Sequence, residues 1–256
     1  MAVRKTEAIV LRTRDFRETS LVVNFYTRDF GKITGLIKGV RATRKGYTTY
    51  PQLFSHNEIV FYEKVHSGLH VVSQCELKDF FPAIRENLRK TAYASYFIEL
   101  IDETSLERDK NLAVFNLLLG SLCLLSAGDI KKVVHIFEIK LLELLGLMPV
   151  LGQCVYCNSS LKEKVRFSPA LGGLLCKQCF LKDTKAIDIL KGTIASLGYL
   201  SKVSLEQAIR LKLTWKVEEN LSRILKAFLD FHLDRPLKSV EFLRKIEESK
   251  SWQKVS

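Results

Sequence analysis

Cys154 and Cys157, followed by Cys176 and Cys179, form two CxxC pairs separated by eighteen residues. A two-residue gap lets one tight turn aim two sulfurs at a single point. Two such turns supply four soft donors, the set a tetrahedral zinc ion takes. Residues 151–182 are therefore expected to fold as a zinc ribbon, with Cys154, Cys157, Cys176 and Cys179 holding one structural Zn2+. Four protein ligands leave no place for water, which argues against a hydrolytic zinc. Gly172 and Gly173, with Phe167, Ser168 and Pro169 upstream, suit two short hairpins around the ion. The alternative is two independent redox pairs, but a redox CxxC belongs in a βαβ pattern, which is missing. Cys75 and Cys123 have no such neighbour.

A chain of 256 residues is long enough for two or three small cores. It carries 40 Lys and Arg against 28 Asp and Glu, a formal +12, which four thiolates and one zinc would lower to about +10. The excess is uneven. Residues 1–50 hold eleven basic side chains (Arg4, Lys5, Arg12, Arg14, Arg17, Arg28, Lys32, Lys38, Arg41, Arg44, Lys45) against Glu7, Asp15, Glu18 and Asp29. Such a focus attracts a polyanion, and a phosphate backbone is the commonest one in a cell. No leader pattern precedes the first strand-like run, so a cytoplasmic protein with reduced thiols is expected. The longest apolar stretch, 112–127, is interrupted by Asn116, Ser121 and Ser126 and reads as a buried helix, with no membrane partner.

Period-two patterning places strands at 7–12, 20–27, 32–39, 57–64 and 69–77, the count of a five-stranded OB barrel. Arg28, Asp29, Phe30 and Gly31 form the turn between the second and third. The 40–55 segment sets Arg41, Arg44 and Lys45 beside Tyr47 and Tyr50, the charged and aromatic mixture with which OB folds hold single strands. Lys32, Lys38, Arg41, Arg44 and Lys45 are accordingly the candidate DNA-binding residues. Phe25, Phe54 and Phe61 are expected to pack the barrel.

From Pro82 the period becomes 3.6, with helices expected at 82–103, 110–127, 129–145, 186–199, 204–211, 218–233 and 239–248. The fold class is thus α+β and multidomain: an OB domain at 1–80, a helical domain at 81–150 and 183–248, and the four-cysteine ribbon inserted at 151–182. No GxxxxGK[ST] or placed GxGxxG provides a phosphate cradle, and the five histidines show no HExxH. His135, among Val133, Val134, Ile136 and Phe137, is expected to be packed. No catalytic residues are assigned, and the chain is not expected to be an enzyme.

Several segments in order carry a family resemblance: Glu18-Thr19-Ser20, Gly31-Lys32, Lys38-Gly39-Val40-Arg41, then Leu141 to Gly146 with Pro149 beyond. The two cysteine pairs follow with Phe167-Ser168-Pro169 and Gly172-Gly173 between them, and His232 to Ser239 close the series. Over nearly its whole length the chain resembles the RecO family of DNA recombination and repair mediators. The resemblance implies a non-enzymatic protein that binds single- and double-stranded DNA, anneals complementary strands and helps load RecA onto DNA covered by single-strand-binding protein. It implies RecR and the acidic C-terminal tail of single-strand-binding protein as partners, and points to Lys38 and Arg41 first as DNA contacts. The family's loop after Lys38-Gly39 often carries more basic residues and a proline, where this chain reads Ala42-Thr43-Arg44-Lys45-Gly46. Some members lack the cysteines, so the metal is expected to serve stability. A protein-interaction scaffold that docks acidic peptides without touching nucleic acid is the alternative.

Overall fold

A computed structural model describes residues 2–40, 51–64, 68–162, 164–233 and 235–252. They form two compact units, one of Met1–Ile130 with Leu237–Ser256 and one of Lys131–Pro236. The helical residues therefore divide between both.

In the first unit, β1 (Ala2–Phe16), β2 (Ser20–Thr27), β3 (Gly31–Ile37), β4 (His56–Glu63) and β5 (Leu69–Asp79) close into a barrel in the order β1-β2-β3-β5-β4. The long β1 pairs antiparallel with β2 on one side and β4 on the other, and a parallel pairing that opens at Thr34 and Leu69 joins β3 to β5. This is the OB barrel. Strand β3 shows its cause most plainly. Gly31, Ile33, Gly35 and Ile37 are buried while Lys32, Thr34 and Leu36 stay half-exposed, as the period-two pleat requires. A Cβ at Gly35 would lie 2.5 Å from Val72 Cγ2, so the interior has room only for hydrogen there. Phe25 and Phe61, with Val10, Val23, Ile33 and Ile59, fill the centre, and burying each large apolar side chain contributes roughly 1.5–3 kcal/mol. Register shifts between Val10 and Arg12 and between Val60 and Phe61 bend the strands enough to close the ring.

The turn at residues 28–30 is held by Thr27, whose hydroxyl donates to Gly31 O at 2.8 Å and accepts from Phe30 N at 3.0 Å. Gly31 has φ +63, and a Cβ there would sit 2.1 Å from Asp109 O. Both the backbone conformation and the close approach require glycine.

Helices α1 (Pro82–Arg85) and α2 (Leu88–Thr104) replace the single helix expected at 82–103. The break is Asn87, which takes an extended backbone and accepts hydrogen bonds from Arg89 N and Lys90 N as a cap. Asn111 caps α3 (Leu112–Ala127) in the same way. Helix α4 (Ile130–Leu144) ends before Gly146, which takes φ +70.

The second unit continues with β6 (Arg166–Ser168), β7 (Gly173–Leu175), β8 (Ile187–Asp188), α5 (Lys191–Leu200), α6 (Leu205–Ala208) and α7 (Trp215–His232). Its sheet runs β7-β6-β8. One hairpin, β6–β7, forms where two were expected; the first cysteine pair instead sits on a turn closed by Cys154 N to Ser159 O at 2.9 Å. Strand β8 occupies the start of the segment expected to be helical from 186. The ribbon shares its unit's core, since Phe167 is fully buried and meets Phe228 of α7 edge-on at 5.4 Å. Asn220 of α7 also ties the sheet down, accepting from Leu190 N and donating to Asp188 O. Helix α8 (Lys238–Trp252) returns to the first unit and packs on α2, where Glu99 accepts from Lys238 N at 3.0 Å and Ser239 N at 2.8 Å.

Candidate nucleic-acid interface and metal centre

The outer face of β1, β2 and β3 divides into a covered half and an open half. Arg12, Asn24 and Thr34 lie side by side in register. Over them sits the end of α2, where Asp102 is 2.9 Å from Arg12 Nη2 and 3.4 Å from Lys32 Nζ. The Lys32 ammonium also donates to Asp102 O at 2.6 Å, and its side chain is only 13% exposed. Glu107 meets Thr34, and Arg108 N donates to Lys32 O at 2.9 Å, completing the cover.

One step along the same strands the face is partly open, with Arg14 exposed, Leu36 half-buried and Val22 buried. Arg14, Val22 and Leu36 are in register there, and alternation puts Lys38 at the height of Phe16 and Ser20. Arg14 and Lys38 are exposed and make no ion pair among the described residues. Arg17 lies over the Phe16 ring at 5.3 Å, while Asp15 and Glu18 belong to the same hairpin end. Arg41, Arg44 and Lys45, which follow Lys38 in the sequence, lie with Tyr47 and Tyr50 outside the described residues.

Of the five expected phosphate contacts, the structure thus places Lys38 on the open face and Lys32 beneath α2. Lys32 is placed otherwise than the charge count had it, because Asp102 neutralises it. Other cations of the first fifty residues are paired as well: Arg4 with Glu63, Lys5 with Glu58, and Arg28 with Glu7. Sequence reasoning counted Arg14 without singling it out; its signal is its place on the same outward register as Lys38. Phe25, Phe54 and Phe61 are all buried. Arg85 is sandwiched between Phe54 and Phe80 and donates to two carbonyls, so it serves packing. Buried His135 meets Ser222 Oγ at 2.7 Å, as a packed imidazole does.

The four cysteines of the two pairs converge. Their sulfurs all lie within 4.8 Å of one another, and Cys157 Sγ is 3.7 Å from Cys176 Sγ. Bonds of about 2.3 Å to a tetrahedral zinc place sulfurs about 3.8 Å apart, so the spacing fits a shared ion, whereas a disulfide needs about 2.05 Å. Leu175 and the buried Cys154, Cys176 and Cys179 pack with Val155, Leu161, Phe180 and Ala186 as a small shell. Gly173 permits this folding, since its Cβ would lie 2.7 Å from Val150 O. Burial pushes the Cys154 thiol up, but N–H groups of Cys176, Cys157 and Tyr156 outweigh it and bring it down to about 6. Burial and the neighbouring sulfurs push Cys179 up to about 12. Four adjacent thiolates need a cation among them, and the donor set fits a soft, tetrahedral metal.

A closed OB barrel with a partly open basic face, in a chain that also carries a four-cysteine metal-type ribbon, defines a class of OB-fold, metal-ribbon proteins. No described helix is long and apolar enough to cross a membrane. The family description Recombination protein O N terminal matches residues 1–81, and Recombination protein O C terminal matches residues 85–241. The DNA repair protein RecO of Alkaliphilus metalliredigens is 35% identical over 245 residues, covering 94% of this chain and 99% of that protein. That of Pelotomaculum thermopropionicum is 34% identical, covering 95% and 94%, and that of Listeria monocytogenes is 29% identical, covering 96% of each. The chain belongs to the RecO family.

Proposed function

We propose that the protein is a DNA repair and recombination mediator that binds single- and double-stranded DNA, anneals complementary strands and helps load RecA onto single strands covered by single-strand-binding protein. Its relatives are named DNA repair proteins, and the open basic half of the barrel face is the observation that carries the reading. Phosphates are held by Lys38 together with Arg14, and by Arg41, Arg44 and Lys45, which follow in the sequence. Lys32 supports that surface from below by fixing α2 to β3. RecR and the acidic tail of single-strand-binding protein are its partners, and it works in the cytoplasm on the nucleoid. The reading includes no catalytic step: the cysteine sulfurs fill a tetrahedral coordination shell, and the metal they hold is one structural Zn2+.

The test is oligonucleotide binding across a salt series. Replacing Lys38 and Arg41 by Glu is expected to weaken binding and flatten the plot of log K against log salt by about 1.4, at about 0.7 per neutralised phosphate on a single strand. A salt-independent affinity, or one the double variant leaves unchanged, sinks the assignment.

A further inference from the structure

The second unit is basic in its own right. Residues 131–236 hold seventeen Lys and Arg against ten Asp and Glu, a net +7. Its described ion pairs join Lys140 to Glu143, and Lys164 and Arg166 to Asp188. Arg210, Lys212 and Lys216 are exposed and have no carboxylate partner among the described residues.

These three cations lie within seven residues of the sequence. A turn at Ile209 and Arg210 closes α6, and along the residues that lead to α7 burial alternates, with Leu211 and Leu213 half-buried and Arg210 and Lys212 exposed. Leu211 and Leu213 turn inward and line a cleft with Ile136, Leu200 and Ala208. Arg210 and Lys212 turn out to solvent. The segment ends on Trp215, the first residue of α7, a residue 67% exposed. Lys216 Nζ stands 5.7 Å from the indole centroid. The platform is firm, because α7 is anchored by buried Leu221, Ile224, Leu225 and Phe228.

The indole is largely exposed with Lys216 over it, and Arg210 and Lys212 precede it closely in the sequence, while Glu218 stands in the same first turn of α7. Carboxylates of an acidic peptide would answer the cations and leave the ring unused. A nucleic-acid strand answers both, with phosphates on the cations and a base face on the indole. We propose that Arg210, Lys212, Trp215 and Lys216 form a second single-strand nucleic-acid site, in which Trp215 stacks on a base. It rests on the proposed DNA-binding role and deepens it: each unit then holds nucleic acid on its own surface.

The probe is an oligothymidylate added to the full-length, metal-loaded protein carrying Trp252→Phe. The chain has two tryptophans, so Trp215 is then the sole indole. Binding is expected to quench its fluorescence, while an abasic strand of equal length quenches little. Trp215→Ala should weaken oligothymidylate binding roughly 5- to 150-fold, the span of one stacked base, and Trp215→Phe should keep most of it. Replacing Arg210, Lys212 and Lys216 by Ala should lower the salt slope by about 2. Saturation measured by anisotropy with unchanged Trp215 emission overturns the site while leaving the barrel reading intact. Quenching by an acidic peptide but not by the oligonucleotide makes the segment a peptide dock and also overturns it. Absence of any binding by the unsubstituted protein overturns both readings together.

Discussion

Lys32 and Lys38 stand six positions apart, at the start of β3 and just beyond its end, and should behave in opposite ways when each is replaced by alanine. The Lys32 ammonium donates to Asp102 O at 2.6 Å and lies 3.4 Å from its carboxylate, with side chains 13% and 8% exposed. Removing it deletes one charge-assisted hydrogen bond and leaves a largely buried carboxylate to Arg12 alone. A bond of that kind contributes about 1.5–3 kcal/mol. At about 2–4 °C per kcal/mol for a domain of this size, Lys32→Ala should lower Tm by roughly 3–12 °C. Its oligonucleotide salt slope should stay that of the parent. Lys38 is exposed and unpaired among the described residues, so Lys38→Ala should leave Tm within about 1 °C, as for most surface substitutions, and reduce the slope by about 0.7. Thermal melts followed by circular dichroism, paired with anisotropy titrations at several salt concentrations, read both quantities. If Lys32→Ala flattened the slope while keeping its Tm, the division of the barrel face into covered and open halves would be wrong.

The metal centre predicts one zinc per chain by elemental analysis of protein prepared without chelator; Cys176→Ser should lose the metal and lower stability while the folded fraction keeps most of its DNA affinity. Less than half an equivalent of metal would count against it. Burial of His70 holds its imidazole below the ordinary 6.5, and its Nδ1 accepts from Lys64 N at 3.2 Å, a bond that protonation of that nitrogen removes. Because the unfolded chain takes up the proton first, this stability is present above about pH 6.5 and is lost as pH falls toward the folded value. His70→Gln should therefore show a smaller drop in Tm between pH 7 and pH 5 than the parent, and an equal drop would refute the assignment.

What the sequence disclosed follows from how local each signal is. The cysteine spacing reports a metal geometry written within a few residues, and the alternation of β3 reports a pleat written within seven. The barrel and the convergence of four sulfurs were legible for that reason. Lys32 was not, because the group that neutralises it lies seventy residues along the chain. Net charge counts ions and is blind to their partners. The split between α1 and α2 was legible in principle, since Asn87 is a good cap, but the apolar period runs through it. Strand β8 is two residues long and is defined by its pairing with β6, which no period reveals. Arg210 lay at the end of one expected helix, and Lys212, Trp215 and Lys216 fell between it and the next, where attention to periodicity passes over them.

Glu99 caps a helix that begins 139 residues later. During synthesis the barrel and α2 leave the ribosome long before Leu237, so that carboxylate waits with solvent for its amides while the whole second unit is made. The first unit is therefore the earlier to start and the later to finish. A ribosome stalled anywhere in the insertion leaves α2 with a bare flank, a surface for chaperones to cover until the final turns arrive.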